Sequence, residues 1–198
     1  MADSFNSGSR ILLACAAVCL LPILLIAARG ERGKDGKDLS LFTPSANCVA
    51  CHNNLIAPSG EDVSIGSTWR STLMANSSRD PYWQASVRRE TIDHPTRAAE
   101  IQDECAACHM PMSRRITRES GGLGEVFAHL QSQKSGGKEE AALHQLAMDG
   151  VSCTACHQID ADKRGTRENF NANFAMRPTP ADGVRQIFGP YQTSTSGR

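Results

Sequence analysis

Three short stretches of the chain combine two cysteines and one histidine at a single fixed spacing. They are CVACH at residues 48–52, CAACH at 105–109 and CTACH at 153–157. A zinc ribbon would need two Cys-x-x-Cys pairs about 15–20 residues apart, and a thioredoxin-like redox pair would need a βαβ unit around it. The pairs here lie much farther apart than a zinc ribbon allows, and no β-branched apolar runs flank them. Neither kind of site therefore explains the pattern.

A histidine follows the second cysteine in all three copies, although histidine makes up only 6 of 198 residues. Cys-x-x-Cys-His is the attachment motif of c-type haem, in which both thiols become thioethers and the histidine becomes the proximal iron ligand. The sequence therefore predicts three covalent haem c (heme c) groups. The predicted thioether residues are Cys48, Cys51, Cys105, Cys108, Cys153 and Cys156. The predicted proximal ligands are His52, His109 and His157.

The N-terminal region carries the two remaining cysteines, Cys15 and Cys19, inside an uncharged apolar run at 11–28. This run is long for a signal-peptide core and just long enough for a membrane helix. Residues 1–28 are therefore predicted to be a signal peptide or an N-terminal membrane anchor, and 29–46 a flexible linker. We expect an exported, periplasmic or otherwise extracytoplasmic protein, soluble after cleavage or tethered by its N-terminus. Residues 47–198 are expected to form the haem domain.

The elements that must position the motifs are predicted to be helices, which gives a mainly α fold with long loops organised around haems. Asp80-Pro81 is a strong helix start that places Trp83 and Val87 on one face. Asp93-His94-Pro95 predicts a second start, for a helix that runs into Cys105. Further helices are expected at 67–74 with Ser67 as its cap, at 125–131, and at 138–150 with Gly150 just past its end. The 21 Lys and Arg residues balance 21 Asp and Glu residues, so no basic stripe points to nucleic acid.

Distal iron ligands are the least determined part of the site. Three histidines remain after the proximal ones, in the order of preference His144, His129 and His94, and Met74 competes with His94. Three haems with three spare imidazoles permit bis-histidine closure of every iron, which favours an electron carrier over an enzyme. Met110 and Met112 are expected to pack against a porphyrin.

Four phrases carry a resemblance: RDPYWQASVRRE, CAACHMP, DGVSCTACHQI and FGPY. Over about residues 47–192 the chain resembles extracytoplasmic multihaem c-type cytochromes, the group of tetrahaem electron carriers and hydroxylamine oxidoreductase-like proteins. The resemblance implies electron transfer through closely stacked haems, most of them with two axial ligands. Such proteins commonly carry further motifs downstream, so we expect the chain to be incomplete at its C-terminus.

The expected function is electron transfer, with redox proteins or a quinol-oxidising membrane complex as partners and no nucleic acid. The alternative is a subunit or fragment of a multihaem reductase or oxidase acting on a small nitrogen compound.

Overall fold

A computed structural model describes residues 36–130, 137–160, 165–170, 172–177, 180 and 183–189 of the chain. The predicted signal or anchor segment at 1–28 and the first part of the predicted linker lie outside the described residues. Within the described ranges, no helix is both long and apolar enough to cross a bilayer.

Helices dominate the described part of the chain, and β-structure there consists of isolated bridges, among them Ile56–Asp62 and Ile159–Met176. The α-helices are α1 (Ser45–Val49), α2 (Ile65–Arg70), α3 (Leu73–Asn76), α4 (Pro81–Asp93), α5 (Ala98–His109), α6 (Pro111–Glu119), α7 (Val126–Leu130), α8 (Lys138–Met148) and α9 (Cys153–His157). Turns of 3-10 helix occur at Leu39–Leu41, Pro95–Arg97 and Arg167–Asn169. These elements confirm the predicted mainly α fold with long loops.

Helix α4 forms where the sequence predicts it. The Asp80 carboxylate accepts a hydrogen bond from the Tyr82 N–H (2.9 Å), and Pro81 occupies the first helical position, where no N–H is needed. Trp83 and Val87 are buried on the face that packs against α5. The start predicted at Asp93-His94-Pro95 instead forms a 3-10 turn, after which α5 begins at Ala98.

The predicted helix at 67–74 is wrong in its bounds, because the chain forms two shorter helices there. Helix α2 begins after Ser64 rather than at Ser67, and it ends at Arg70. The Thr72 hydroxyl then donates to the Trp69 carbonyl (2.7 Å) and accepts from the Ala75 N–H (3.2 Å). A threonine hydroxyl that bonds the backbone in this way competes with helix continuation, and here it starts α3 instead.

Two hydrophobic cores hold the helices together. The first comprises Leu41, Phe42, Met112, Ile116, Leu143, Leu146 and Ala155. The second comprises Trp83, Val87, Ala106, Met110, Val126 and Ala147. Met110 and Met112 are fully buried, Met110 in the second core and Met112 in the first.

The folded body begins before residue 47. Leu41 and Phe42 lie in the first core, and the Asp38 carboxylate caps the turn at Leu39–Leu41. Residues 39–46 were predicted to belong to a linker. They pack as part of the domain instead, because apolar side chains among them contact α8 and its neighbours.

A buried ion pair joins α5 to α6 and to the loop that follows α6. Arg114 donates to both carboxylate oxygens of Asp103 (3.1 and 3.0 Å), and the Gly124 N–H donates to one of them (2.7 Å). Burial alone would raise the pKa of Asp103, but these hydrogen bonds and the positive charges of Arg114 and Arg118 outweigh it and lower the pKa. The carboxylate therefore stays charged and fixes the angle between the two helices.

Candidate functional site

Each Cys-x-x-Cys-His motif lies on a helical turn. Cys48 lies in α1, and its carbonyl accepts from the N–H groups of both Cys51 (3.2 Å) and His52 (3.0 Å). The second motif forms the last turns of α5, and the third forms the whole of α9. Residues three and four apart share one face of a helix. Each turn therefore presents two thiols and an imidazole on the same side.

The cysteines show the same exposure pattern in all three motifs. The first cysteine of each motif is half-buried, whereas the second is exposed; the exposed ones are Cys51, Cys108 and Cys156. Burial, followed by the nearby charges of Glu90, Cys108 and Glu104, raises the pKa of the Cys105 thiol. In each motif, the protein therefore partly covers the first thiol and leaves the second thiol accessible from solvent.

Two of the motif histidines are oriented by backbone carbonyls. Nδ1 of His109 lies 2.9 Å from the Ser77 carbonyl oxygen, and Nδ1 of His157 lies 2.6 Å from that of Phe188. A carbonyl oxygen can only accept, so Nδ1 carries the proton in both rings and Nε2 keeps its lone pair. This is the tautomer that a metal ligand bound through Nε2 requires. His52, by contrast, lies exposed at the surface.

An aromatic ring also covers His109. The Trp83 indole stacks on the imidazole, with ring centroids 4.2 Å apart and planes within 4° of parallel. The Ser77 hydroxyl donates to the His109 backbone carbonyl (3.0 Å). The segment before α4 and the first turn of α4 therefore hold the end of the second motif from two sides.

The first and third motifs lie next to each other, although a hundred residues separate them in the chain. The Thr43 N–H donates to Thr154 Oγ1 (3.2 Å), which donates back to the Thr43 carbonyl (3.0 Å). Ser45 donates to Asp149 from its N–H (2.7 Å) and from its hydroxyl (2.6 Å). These bonds flank α1 and α9 and hold the two helices against each other.

As a result, the half-buried thiols of Cys48 and Cys153 are close neighbours. Burial, the Cys153 neighbour and the Asp149 charge raise the pKa of the Cys48 thiol. The second motif lies elsewhere, since Cys105 packs against the second core.

His129 and His144, two of the predicted distal ligands, lie side by side. Their ring centroids are 6.2 Å apart, with planes tilted by 43°. Both Nδ1 atoms are buried and have no hydrogen-bond partner among the described residues. Burial, then His144, then Lys37, lower the pKa of His129 to about 4, so that this ring is neutral at physiological pH. Buried ring nitrogens without partners are costly to the fold, which makes this pair a candidate ligand site.

The other two distal candidates lie at the surface. The His94 side chain is 62% exposed, with Nε2 4.0 Å from a Glu90 carboxylate oxygen. The Met74 side chain is also exposed. Nowhere in the described ranges do three or more His, Cys, Asp or Glu side chains gather to form a cage for a bare metal ion.

Sequence reasoning missed the groups that orient the motif histidines. The Ser77 and Phe188 acceptors are backbone carbonyls, which every residue carries, so no sequence signal marks them. Trp83 and Val87 share one buried face of α4, as the helical spacing predicts. The spacing gives no indication that the Trp83 ring covers His109.

In comparisons with protein-family models, with curated proteins and with solved structures, none matches this chain.

Proposed function

We propose that this protein is an exported c-type cytochrome that transfers electrons through three covalently bound haems. The observation that carries the proposal is the shared geometry of the three motifs, each with two thiols and a histidine on one helical turn. Two of the three histidines are also held as the tautomer that leaves Nε2 available. When bound, each haem supplies an iron that cycles between its ferric and ferrous states.

The chain's own residues would hold these groups in defined roles. Cys48 with Cys51, Cys105 with Cys108, and Cys153 with Cys156 would form the thioethers. His52, His109 and His157 would be the proximal ligands. The carbonyls of Ser77 and Phe188 keep Nδ1 protonated in their partner histidines and raise the basicity of the ligating nitrogen.

The contact between the first and third motifs supports a carrier. Electron transfer is fast only over short gaps, and the packing of α1 against α9 brings the attachment points at Cys48 and Cys153 close together. The chain would therefore hold two of its redox centres side by side. The proposal includes membership of the multihaem c-type cytochrome family that the chain resembles, and action in the periplasm or another extracytoplasmic compartment, with redox proteins or a quinol-oxidising membrane complex as partners.

Closed iron coordination is a further part of the proposal. The buried, unpartnered nitrogens of His129 and His144 support a ligand role for this pair. The third distal position remains between His94 and Met74, both of which lie at the surface. Low-spin haem in both redox states would fit a carrier. A high-spin component that binds nitrite, hydroxylamine or carbon monoxide would instead favour the multihaem reductase or oxidase.

Intact mass spectrometry of the chain, co-expressed with haem-maturation machinery, tests the proposal. We expect a mass increase of three haems, and of two haems in the double variant Cys105→Ser, Cys108→Ser. Unmodified Cys-x-x-Cys-His peptides in this material would overturn it.

A further inference from the structure

We propose that Trp83 is a positioning residue for His109, and that its indole fixes the imidazole plane and lowers the reduction potential of the haem attached at Cys105 and Cys108. This inference rests on the proposed function. It concerns a side chain that touches the ligand rather than the iron.

The two rings are closely stacked. With centroids 4.2 Å apart and planes 4° from parallel, the indole lies against one face of the imidazole. Trp83 itself is only 8% exposed, so the indole is largely shielded from water. The imidazole is therefore restrained in tilt by the indole and in rotation by its Nδ1 hydrogen bond to the Ser77 carbonyl.

Trp83 itself has little freedom to move. It lies in the first turn of α4, whose start is fixed by the Asp80 cap and by Pro81. Its side chain packs in the second core with Ala106, which lies within the motif, and with Met110, which directly follows it. The ring that orients His109 is thus anchored to the same core as the motif.

The third motif provides a comparison within the molecule. His157 makes the same kind of hydrogen bond, to the Phe188 carbonyl, but it is exposed. In the part of the chain that the structure describes, no aromatic ring stacks on His157 or on His52. Among the described residues, the histidine of the second motif is thus distinguished from the other two by partial burial and by the stacked indole.

The sign of the effect follows from the charge of the ring face. An indole face carries negative electrostatic potential and attracts electron-poor groups. An imidazole bound to ferric iron is more electron-poor than one bound to ferrous iron. Stacking therefore stabilises the oxidised state more than the reduced state, and losing it should move the potential to a more positive value.

Fluorinated tryptophan tests this without changing the packing. The chain has two tryptophans, so Trp69→Phe leaves Trp83 as the single site of incorporation. Trp69 donates from Nε1 to the Val151 carbonyl (3.4 Å) and makes no stack with a motif histidine, so this background should titrate like the wild type. 5-Fluorotryptophan keeps the ring shape and weakens the negative face. We expect one haem to shift to a more positive potential, and we expect this component to be missing in the double variant Cys105→Ser, Cys108→Ser.

Two substitutions test the positioning role. Trp83→Met fills the space without a ring, and Trp83→Phe restores a stacking ring. We expect Trp83→Met to broaden the ferric EPR signal of one haem and to raise the reduction potential of that haem. Trp83→Phe should restore most of the original EPR line width and most of the original potential. Haem counting by mass comes first in every variant.

If the unsubstituted chain carries no haem, the proposed function fails. If it carries three haems and neither fluorination nor Trp83→Met changes any potential or g-value, the proposed function stands and the role of Trp83 is overturned. If Trp83→Met fails to fold, the fluorinated protein decides alone.

Discussion

Charged side chains in this molecule contribute unequally to stability because their burial differs. Asp103 is almost fully buried with its partner Arg114, whereas the Arg115–Glu119 pair one turn along α6 is partly exposed to solvent. Removing one member of a buried pair leaves an uncompensated charge inside the protein, while a surface pair is screened by water. The two pairs, which involve the adjacent arginines of α6, therefore form a matched comparison.

Asp103→Ala should lower the free energy of unfolding by about 3–5 kcal/mol, because it strands the Arg114 guanidinium and the Gly124 N–H. Glu119→Ala should cost less than about 1 kcal/mol. Urea denaturation followed by circular dichroism measures both. Equal losses in the two variants would contradict the role assigned to the buried carboxylate.

The pH dependence of stability should report on His129. Its pKa is 6.5 when exposed and about 4 in the fold, because burial and then its neighbours disfavour the charged ring. Between pH 6.5 and about pH 4, His129 carries a proton in the unfolded chain but not in the folded chain. Stability is therefore fully present above pH 6.5 and falls as the pH drops towards 4, by about 3 kcal/mol in total.

Unfolding of the haem-free chain measured from pH 7 to pH 4 should show this slope, and His129→Leu should flatten it. The exposed His94→Gln serves as the control and should leave the slope unchanged. In the haem-loaded protein, iron bound to His129 would exclude the proton below pH 4 as well, so the loss of stability due to His129 should continue to lower pH. A loss that levels off near pH 4 in the haem-loaded protein, measured as the difference from His129→Leu, would argue against His129 as a distal ligand.

At the scale of the elements, helix ends decide where the motifs lie. Helix α8 ends at Met148, and Gly150 turns the chain towards α9 with φ +67°. A Cβ at Gly150 would lie 2.6 Å from the Met74 carbonyl oxygen and 3.0 Å from that of Ala75. This glycine thus permits both the left-handed turn and the close approach of α3.

Gly150→Ala should destabilise the protein by more than the 1 kcal/mol or so that a left-handed alanine costs on its own. Gly183→Ala is the matched control, because Gly183 has φ +72° but nothing within 4 Å of the added Cβ. Thermal unfolding of both variants separates the destabilisation caused by the steric clash from the destabilisation caused by the left-handed backbone conformation. Similar losses would mean that the contact with α3 relaxes freely.

Local signals made much of the helical scaffold predictable. Asp80-Pro81 and Gly150 act on the backbone of adjacent residues, so the helix start and the turn that they produce can be predicted from the sequence. The break between α2 and α3 was missed because the hydroxyl of Thr72 can serve either a helix or a cap, and only its contacts decide. Long-range pairings, such as Thr43 with Thr154, leave no periodic pattern in the chain.

At the scale of the whole molecule, the two ends of the described chain are joined through the first and third motifs. The contact between Cys48 and Cys153 closes a loop of about a hundred residues. A cross-link across such a loop removes much of the freedom of the unfolded chain, and is worth about 4–5 kcal/mol in the entropic model.

The haem-free chain, oxidised with glutathione disulfide, should therefore form a Cys48–Cys153 bond. Thiol–disulfide exchange releases two molecules of reduced glutathione for each bond formed. Mass spectrometry of a non-reduced digest identifies the linked peptides. Cys51→Ser should retain the link and Cys48→Ser should abolish it. Exclusive Cys48–Cys51 pairing would show that the two motifs do not meet before haem is attached.

The pairing of residues 43–45 with residues 149–154 also has a consequence in time. A chain that emerges N-terminus first, at about 5–20 residues per second, makes Ser45 wait about 5–20 s for Asp149, which lies 104 positions later. His109 finds Ser77 only 32 positions upstream, already emerged. The contacts that orient His109 can therefore form as soon as the middle motif emerges, whereas the first motif must wait until residues 149–154 have been synthesised.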